Sequence, residues 1–309
     1  NFAYKDQDGA YPYLEAVFGF LDYFIQNNES LSSKYSYSYL RIIKESLIKL
    51  IHHIVNSQTD KESKVYQNFW EMVNAKTSNY SIISLNYDTM LEHAFLNHVS
   101  NFGYLDYCIH LMNYKDSDEI KQFNYWIDPR SPVAVDENED PVPIKLMKLH
   151  GSLNWKYCTC CNQTLLTTWD REIDLKKGKF AGYTYPDMQK YEYVCPQDGT
   201  DFETLIMMPS YVKPLHHPVI SQLLSESARE IRSTKKIVFV GYSLSDADLH
   251  IRALFKKHLT DDVKVFVINT RKSEAFKLKY LSLTKNVQFF NCSFENMLQN
   301  EELIDKIFV

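Results

Sequence analysis

The segment Ile237–Asp248, IVFVGYSLSDAD, decides the fold. The short apolar run from Ile237 to Val240 reads as a strand. It breaks at Gly241 into the polar residues Ser243, Ser245, Asp246 and Asp248, and a helical pattern then runs from Asp246 to Leu259. Strand, polar exit and helix in that order form the unit from which parallel sheets are assembled.

The same rhythm continues on either side. Downstream lie strand candidates Val263–Ile268 and Val287–Phe290, with a helix from Glu274 to Tyr280 between them. Upstream lie strand candidates Ser81–Leu85, Ile144–Leu149 and Thr204–Met208, a helix through Met90, Leu91, Ala94 and Phe95, and another from Val219 to Ile231. The expected class is therefore α/β, a parallel sheet with helices on its faces. Residues 1–80 read as a helical region, with apolar stripes at Leu14, Val17, Phe18, Leu21 and at Leu40, Ile43, Leu47, Leu50. A short third helix carries Val65, Phe69, Trp70 and Val73. Residues 108–143 lack periodicity, hold four prolines and the acidic run Asp136–Asp140, and read as an irregular insertion in a core spanning 81–309.

Composition narrows the function classes. Of the 309 residues, 34 are Lys or Arg and 39 are Asp or Glu, a net charge of -5. Phosphate neutralisation needs a basic excess, so nucleic acid is not expected as a direct partner. No apolar run approaches the length that spans a bilayer, and Asn1–Lys5 does not open a signal peptide, so a cytoplasmic protein is expected. The 8 glycines include no Gly-x-Gly pair, so no glycine-rich phosphate loop lies in the chain.

Parallel sheets bind ligands beyond the carboxyl ends of their strands. The exits there are Asn86-Tyr87-Asp88, His150-Gly151-Ser152, Gly241-Tyr242-Ser243-Leu244 and Asn269-Thr270. Each alone reads equally well as a helix cap or a structural residue; together they suit a nucleotide with a ribose and a charged leaving group.

These strings also resemble a known family. Ser84–Glu92 looks like the "TNYD-x-LLE" segment of bacterial SIR2-like, sirtuin-related proteins. Leu149–Trp155 matches their "LHGSLNW", Gly241–Asp248 matches "GYSLPDAD" with Ser245 in place of proline, and Pro209–Pro214 is similar to "PP-x-x-x-K". The resemblance runs in family order from Ser81 to the C-terminus. It implies a Rossmann-like domain that binds NAD and cleaves its nicotinamide–ribose bond. By that likeness His150 would be the general base, and Asn86 would hold the nicotinamide ribose or the attacking water. Asp88 would face the carboxamide or cap the helix, and Tyr87, Gly241, Tyr242, Ser243, Leu244 and Asn269 would line the cofactor. The family's opening Gly-Ala-Gly-x-Ser loop has no counterpart here. Either it precedes Asn1, which is the expectation, or this homologue lacks it and cannot hold NAD.

Four cysteines fall between Cys158 and Cys195. Cys158 and Cys161 form a Cys-x-x-Cys knuckle, and Cys195 begins a second with Asp198 at the fourth position; Asp198, or Cys160 as a substitute, would complete the shell. Two such knuckles hold structural zinc, and this ribbon-like insertion is placed at 155–203. The competing reading is a decayed ribbon of metal-free thiols. His250 and His258 read as ordinary surface or core residues.

Three functions follow as expectations. The first is an NAD glycohydrolase in bacterial anti-phage defence, held quiet until a partner defence protein or homo-oligomerisation assembles it. The second is an NAD-dependent protein deacylase, disfavoured because residues 1–80 and 108–143 would obstruct an acyl-lysine groove. The third is a non-catalytic NAD or ADP-ribose sensor or scaffold.

Overall fold

The computed structural model describes residues 13–60, 63–77, 79–98, 103–112, 142–166, 173–174, 179–180, 195, 197–210, 213 and 215–308. Most of the expected insertion, residues 113–141, lies outside them, as do residues 1–12.

Three helices come first: α1 (Leu14–Gln26), α2 (Tyr37–Gln58) and α3 (Val65–Lys76). Strand β1 (Ser81–Ser84) leads into α4 (Met90–His98), followed by β2 (Gly103–Asp106) and β3 (Val142–Lys148). Next come β4 (Gly151–Tyr157), β5 (Thr164–Leu166), β6 (Ile173–Asp174), β7 (Lys179–Phe180) and β8 (Glu203–Ile206). The chain closes with α5 (Pro218–Ser233), β9 (Lys236–Val240), α6 (Leu249–His258), β10 (Lys264–Ile268), α7 (Glu274–Leu281), β11 (Val287–Phe290), α8 (Phe294–Leu298) and α9 (Glu301–Phe308).

Two parallel three-stranded sheets, ordered β1-β3-β2 and β11-β10-β9, share one core. The central strand β10 shows how the layers arise. Val265 and Val267 pack into the main core with α5, α6 and α7, whereas Phe266 and Ile268 point the other way onto Met297 of α8 and Leu303 and Ile307 of α9. Alternate residues of a strand face opposite sides of its sheet, so a strand apolar on both sides, as β10 is from Val265 to Ile268, needs helices on both faces. The α/β class read from the sequence, Rossmann-like parallel strands and helices behind an N-terminal helical region, is the observed one, with the parallel strands divided between two sheets.

The helical region is packed onto this core. Trp70 of α3 is fully buried beside Phe95 and donates its indole N–H to the Leu91 carbonyl at 2.8 Å. Phe18 of α1 and Ile48 of α2 close over Met90, Leu153, Ile206 and Met208. The two helices are tied by the Lys44–Asp22 ion pair at 2.7 Å.

Two strand assignments differ from the sequence reading. Thr204–Met208 does contain a strand, β8, but it pairs antiparallel with β4 in a third sheet, β5-β4-β8, and leaves the parallel layer. β4 itself begins directly after His150, where the sequence suggested a polar loop. All seven of its residues are buried, Ser152, Asn154 and Lys156 included, so it shows no polar–apolar alternation to read. The C-terminal helices α8 and α9 were likewise not anticipated. Among the described residues no helix is long and apolar enough to cross a membrane.

Candidate active site

The polar exits of the strands meet one another. At the end of β3, His150 and Gly151 reverse the chain into β4, with Gly151 at φ +73°. A Cβ there would lie 2.1 Å from the Leu205 carbonyl oxygen, so only glycine allows β8 to approach. The Tyr87 carbonyl accepts from the Leu153 N–H at 3.0 Å and the Ser152 hydroxyl at 3.3 Å. The Tyr87 hydroxyl donates to the Met207 carbonyl at 2.8 Å, and the Met207 N–H donates to the His150 carbonyl at 2.7 Å. The Asn86–Asp88 loop is thereby fastened to the His150 turn, with the Tyr87 and His150 rings 6.3 Å apart.

His150 is 6 % exposed. One ring nitrogen is engaged by the Leu85 backbone, and Nε2 has no hydrogen-bond partner. Nε2 lies 3.4 Å from Asp248 Oδ1, and Lys213 Nζ lies 3.6 Å from the same oxygen. Burial, then the Lys213 charge, holds the imidazole down at about 4, against the opposing pull of Asp248. The ring is therefore neutral near pH 7 and carries an available lone pair, the state a general base requires.

The Gly241–Asp248 loop reaches this imidazole from the second sheet. Its Gly241 has φ +69° and its N–H donates to Ile268 at 2.9 Å, while the buried Leu244 also has a positive φ of 48°. The Tyr242 hydroxyl donates to Asp248 Oδ2 at 3.1 Å, with burial and that carboxylate raising the phenol's pKa. The Tyr242 carbonyl accepts from Tyr280 at 2.7 Å and from Asn269 Nδ2 at 3.1 Å. Asn269 also accepts from the Arg271 N–H at 3.0 Å, so both ends of its amide are engaged within the protein. Asp88 Oδ1 accepts from the Met90 N–H at 3.0 Å where α4 begins, the capping alternative. Asn86 is exposed and is touched by the hydroxyl of Tyr66 on α3. Ser243 is half-buried on the same loop as Tyr242.

The structure also supplies residues that motif reading assigned no role. Lys213 donates to the Met208 carbonyl at 3.0 Å, and its side chain is 5 % exposed. His250, read as an ordinary helix residue, stacks 5.4 Å from His150 with neither ring nitrogen bonded. Asp248 gave only the signal of a helix-start aspartate. Nothing in one-dimensional spacing joins positions 150, 213 and 248–250.

The second cluster is Cys158, Cys161, Cys195 and Asp198, whose ligand atoms all lie within 4.8 Å of one another. Cys161 and Cys195 sulfurs are 3.8 Å apart, and Cys158 Sγ is 3.3 Å from Asp198 Oδ2. Tetrahedral zinc with Zn–S near 2.3 Å places its sulfurs about 3.8 Å apart. Each knuckle is a tight turn: the Asn162 N–H donates to the Cys158 carbonyl at 3.0 Å, and the Gly199 N–H to the Cys195 carbonyl at 2.7 Å. Burial pushes the Cys195 thiol up to about 12, and hydrogen bonds from Thr200 hold Asp198 at about 2. The donor set fits a structural zinc, and Cys160 is exposed outside it.

A family model described as SIR2-like domain matches residues 80–290, about two thirds of the chain. The match begins at β1 and ends with β11, enclosing both parallel sheets and every site residue named above. No curated protein matches the chain.

Proposed function

The chain belongs to the SIR2-like family, and on that premise we propose that it hydrolyses NAD to nicotinamide and ADP-ribose, with His150 as the general base. Membership carries an NAD-related function; hydrolysis is the reading that the site's chemistry favours. The observation behind it is a buried, neutral imidazole with a free Nε2, held between the Asn86–Asp88 and Gly241–Asp248 loops.

The nicotinamide–ribose bond breaks with both electrons passing to the nicotinamide nitrogen, so the cationic leaving group departs neutral. The ribose carbon takes up the positive charge, and water adds there after surrendering a proton. His150 Nε2 receives that proton, directly or through a ribose hydroxyl. Asn86, exposed at the tip of its loop, orients the ribose or the water. Asp248 supports the transient imidazolium from 3.4 Å. Positioning carries most of the acceleration, since the leaving group needs no activation.

Incubation with NAD and quantification of released nicotinamide tests this reading. His150→Ala should lower the rate by about 10²- to 10⁴-fold; undiminished turnover would exclude the mechanism. Release that requires an acylated peptide would mark a deacylase instead, and binding without turnover would mark a sensor.

In its biological setting this activity serves anti-phage defence, by the likeness of its motifs to defence effectors that exhaust NAD, and acts as a homo-oligomer or with a partner defence protein. Phage plating on cells expressing the wild-type and His150→Ala chains tests the role. Equal protection by both would sink it. The Cys158, Cys161, Cys195 and Asp198 knuckles hold zinc in a purely structural capacity.

A further inference from the structure

We infer that His150, Asp248 and His250 form a divalent-metal site of the zinc class, and that metal bound there withdraws the general base and switches the enzyme off. Metal capture stands on the cluster alone; the inhibition rests on the reading of His150 given above.

One ligand atom from each of the three residues lies within 4.8 Å of the others. The contact between His150 Nε2 and Asp248 Oδ1 is 3.4 Å and forms no hydrogen bond. That spacing is long for an N–H···O bond but suits two atoms bridged by zinc, which at about 2.0–2.1 Å from each ligand holds them roughly 3.3 Å apart in tetrahedral geometry.

The hydrogen-bond inventory points the same way. His150 Nε2 and both ring nitrogens of His250 are buried without a partner. A buried polar nitrogen left unsatisfied is costly, and such groups call for an occupant. A metal ion would satisfy one nitrogen of each ring. The outer groups of a metal site are also in place. The Leu85 backbone holds the other nitrogen of His150, and the Tyr242 hydroxyl holds Asp248 Oδ2, leaving Oδ1 for the metal. Such partners orient metal-binding imidazoles and carboxylates. Two histidines and one carboxylate make a three-ligand set that leaves the fourth position for water.

Lys213 is the opposing feature. Its ammonium lies 3.6 Å from Asp248 Oδ1 and repels a cation placed there. It has another acceptor in the Met208 carbonyl at 3.0 Å and need not leave the site when metal enters. The lysine therefore weakens capture without preventing it, as suits a reversible inhibitor.

Cobalt(II) titration of the full chain carrying a single equivalent of zinc, which fills the cysteine knuckles and leaves this cluster open, tests the site. The expected result is about one further equivalent with visible d–d absorption and no thiolate-to-cobalt band, because no sulfur lies in this ligand set. His250→Ala and His250→Gln should each weaken that binding by more than about tenfold, since even outer partners of a metal site are worth 10–100-fold. Lys213→Met should tighten it. In the NAD assay, zinc should inhibit the wild-type chain and leave the His250 variants resistant. Absence of a sulfur-free cobalt site, or binding unchanged in both His250 variants, overturns the proposal. A chain that binds cobalt as described but does not cleave NAD would remove the hydrolase reading and leave the metal site standing.

Discussion

Lys148 and Glu92 form an ion pair sealed inside the protein: the ammonium sits 2.8 Å from Glu92 Oε1, with side chains 1 % and 8 % exposed. The lysine stands on the last residue of β3 and the glutamate on the first turn of α4. Lys148 donates also to the Asp88 carbonyl, and Tyr107 donates to Glu92 at 3.2 Å. The pair thus bolts the strand that delivers His150 to the loop that presents Asn86.

Removing one partner strands the other charge in the interior. Lys148→Met should cost about 3–5 kcal/mol of stability, and Glu92→Gln less. Urea denaturation checks this. A Lys148→Met, Glu92→Leu double variant should recover part of the loss, because an apolar pair leaves no unpaired charge.

Two glycines share a backbone conformation but not a neighbourhood. Gly151 and Gly241 have φ of +73° and +69°, yet a Cβ on Gly151 meets the Leu205 carbonyl whereas one on Gly241 meets open space. Gly241→Ala should therefore cost only the strain of left-handed backbone, about 1–2 kcal/mol. Gly151→Ala should cost distinctly more than that and disturb the β4–β8 pairing. Equal losses would show that the clash is relieved at no expense.

Acid should weaken the fold in a defined window. Burial, then Lys213, holds both His150 and His250 at about 4, below the ordinary 6.5. These two imidazoles take up protons from about pH 6.5 downward in the unfolded chain but stay neutral to about pH 4 in the folded one. Their contribution is complete above pH 6.5 and is lost progressively towards pH 4. Urea midpoints should fall between pH 7 and pH 5, and less steeply in a His150→Gln, His250→Gln double variant. If the double variant keeps the full slope, these imidazoles are not its source.

Elemental analysis should find about one zinc per chain, tightly held, with no catalytic part. Cys195→Ser should release it and lower the melting temperature, while Asp198→Cys, which completes a four-thiolate set, should bind it more tightly. A metal-free wild-type chain that melts identically with and without chelator would contradict the assignment.

The sequence alone carried the α/β rhythm, because short apolar runs and helical stripes are local signals: β1, β3, β9, β10 and β11 were all legible from a few residues each. It also carried the two cysteine knuckles and the polar strand exits, which are matters of residue type and spacing. It could not reveal β4, whose buried Ser152, Asn154 and Lys156 erase the alternation that marks a half-exposed strand. Nor could it reveal that Lys213, Asp248 and His250 gather at His150, or that Lys148 pairs with Glu92. Those meetings join segments tens of residues apart, and their distances are set by how the sheets and helices pack. Periodicity has no record of that packing. The chain thus declared its layers and its chemical vocabulary, and only the folded molecule decided which groups stand close enough to react.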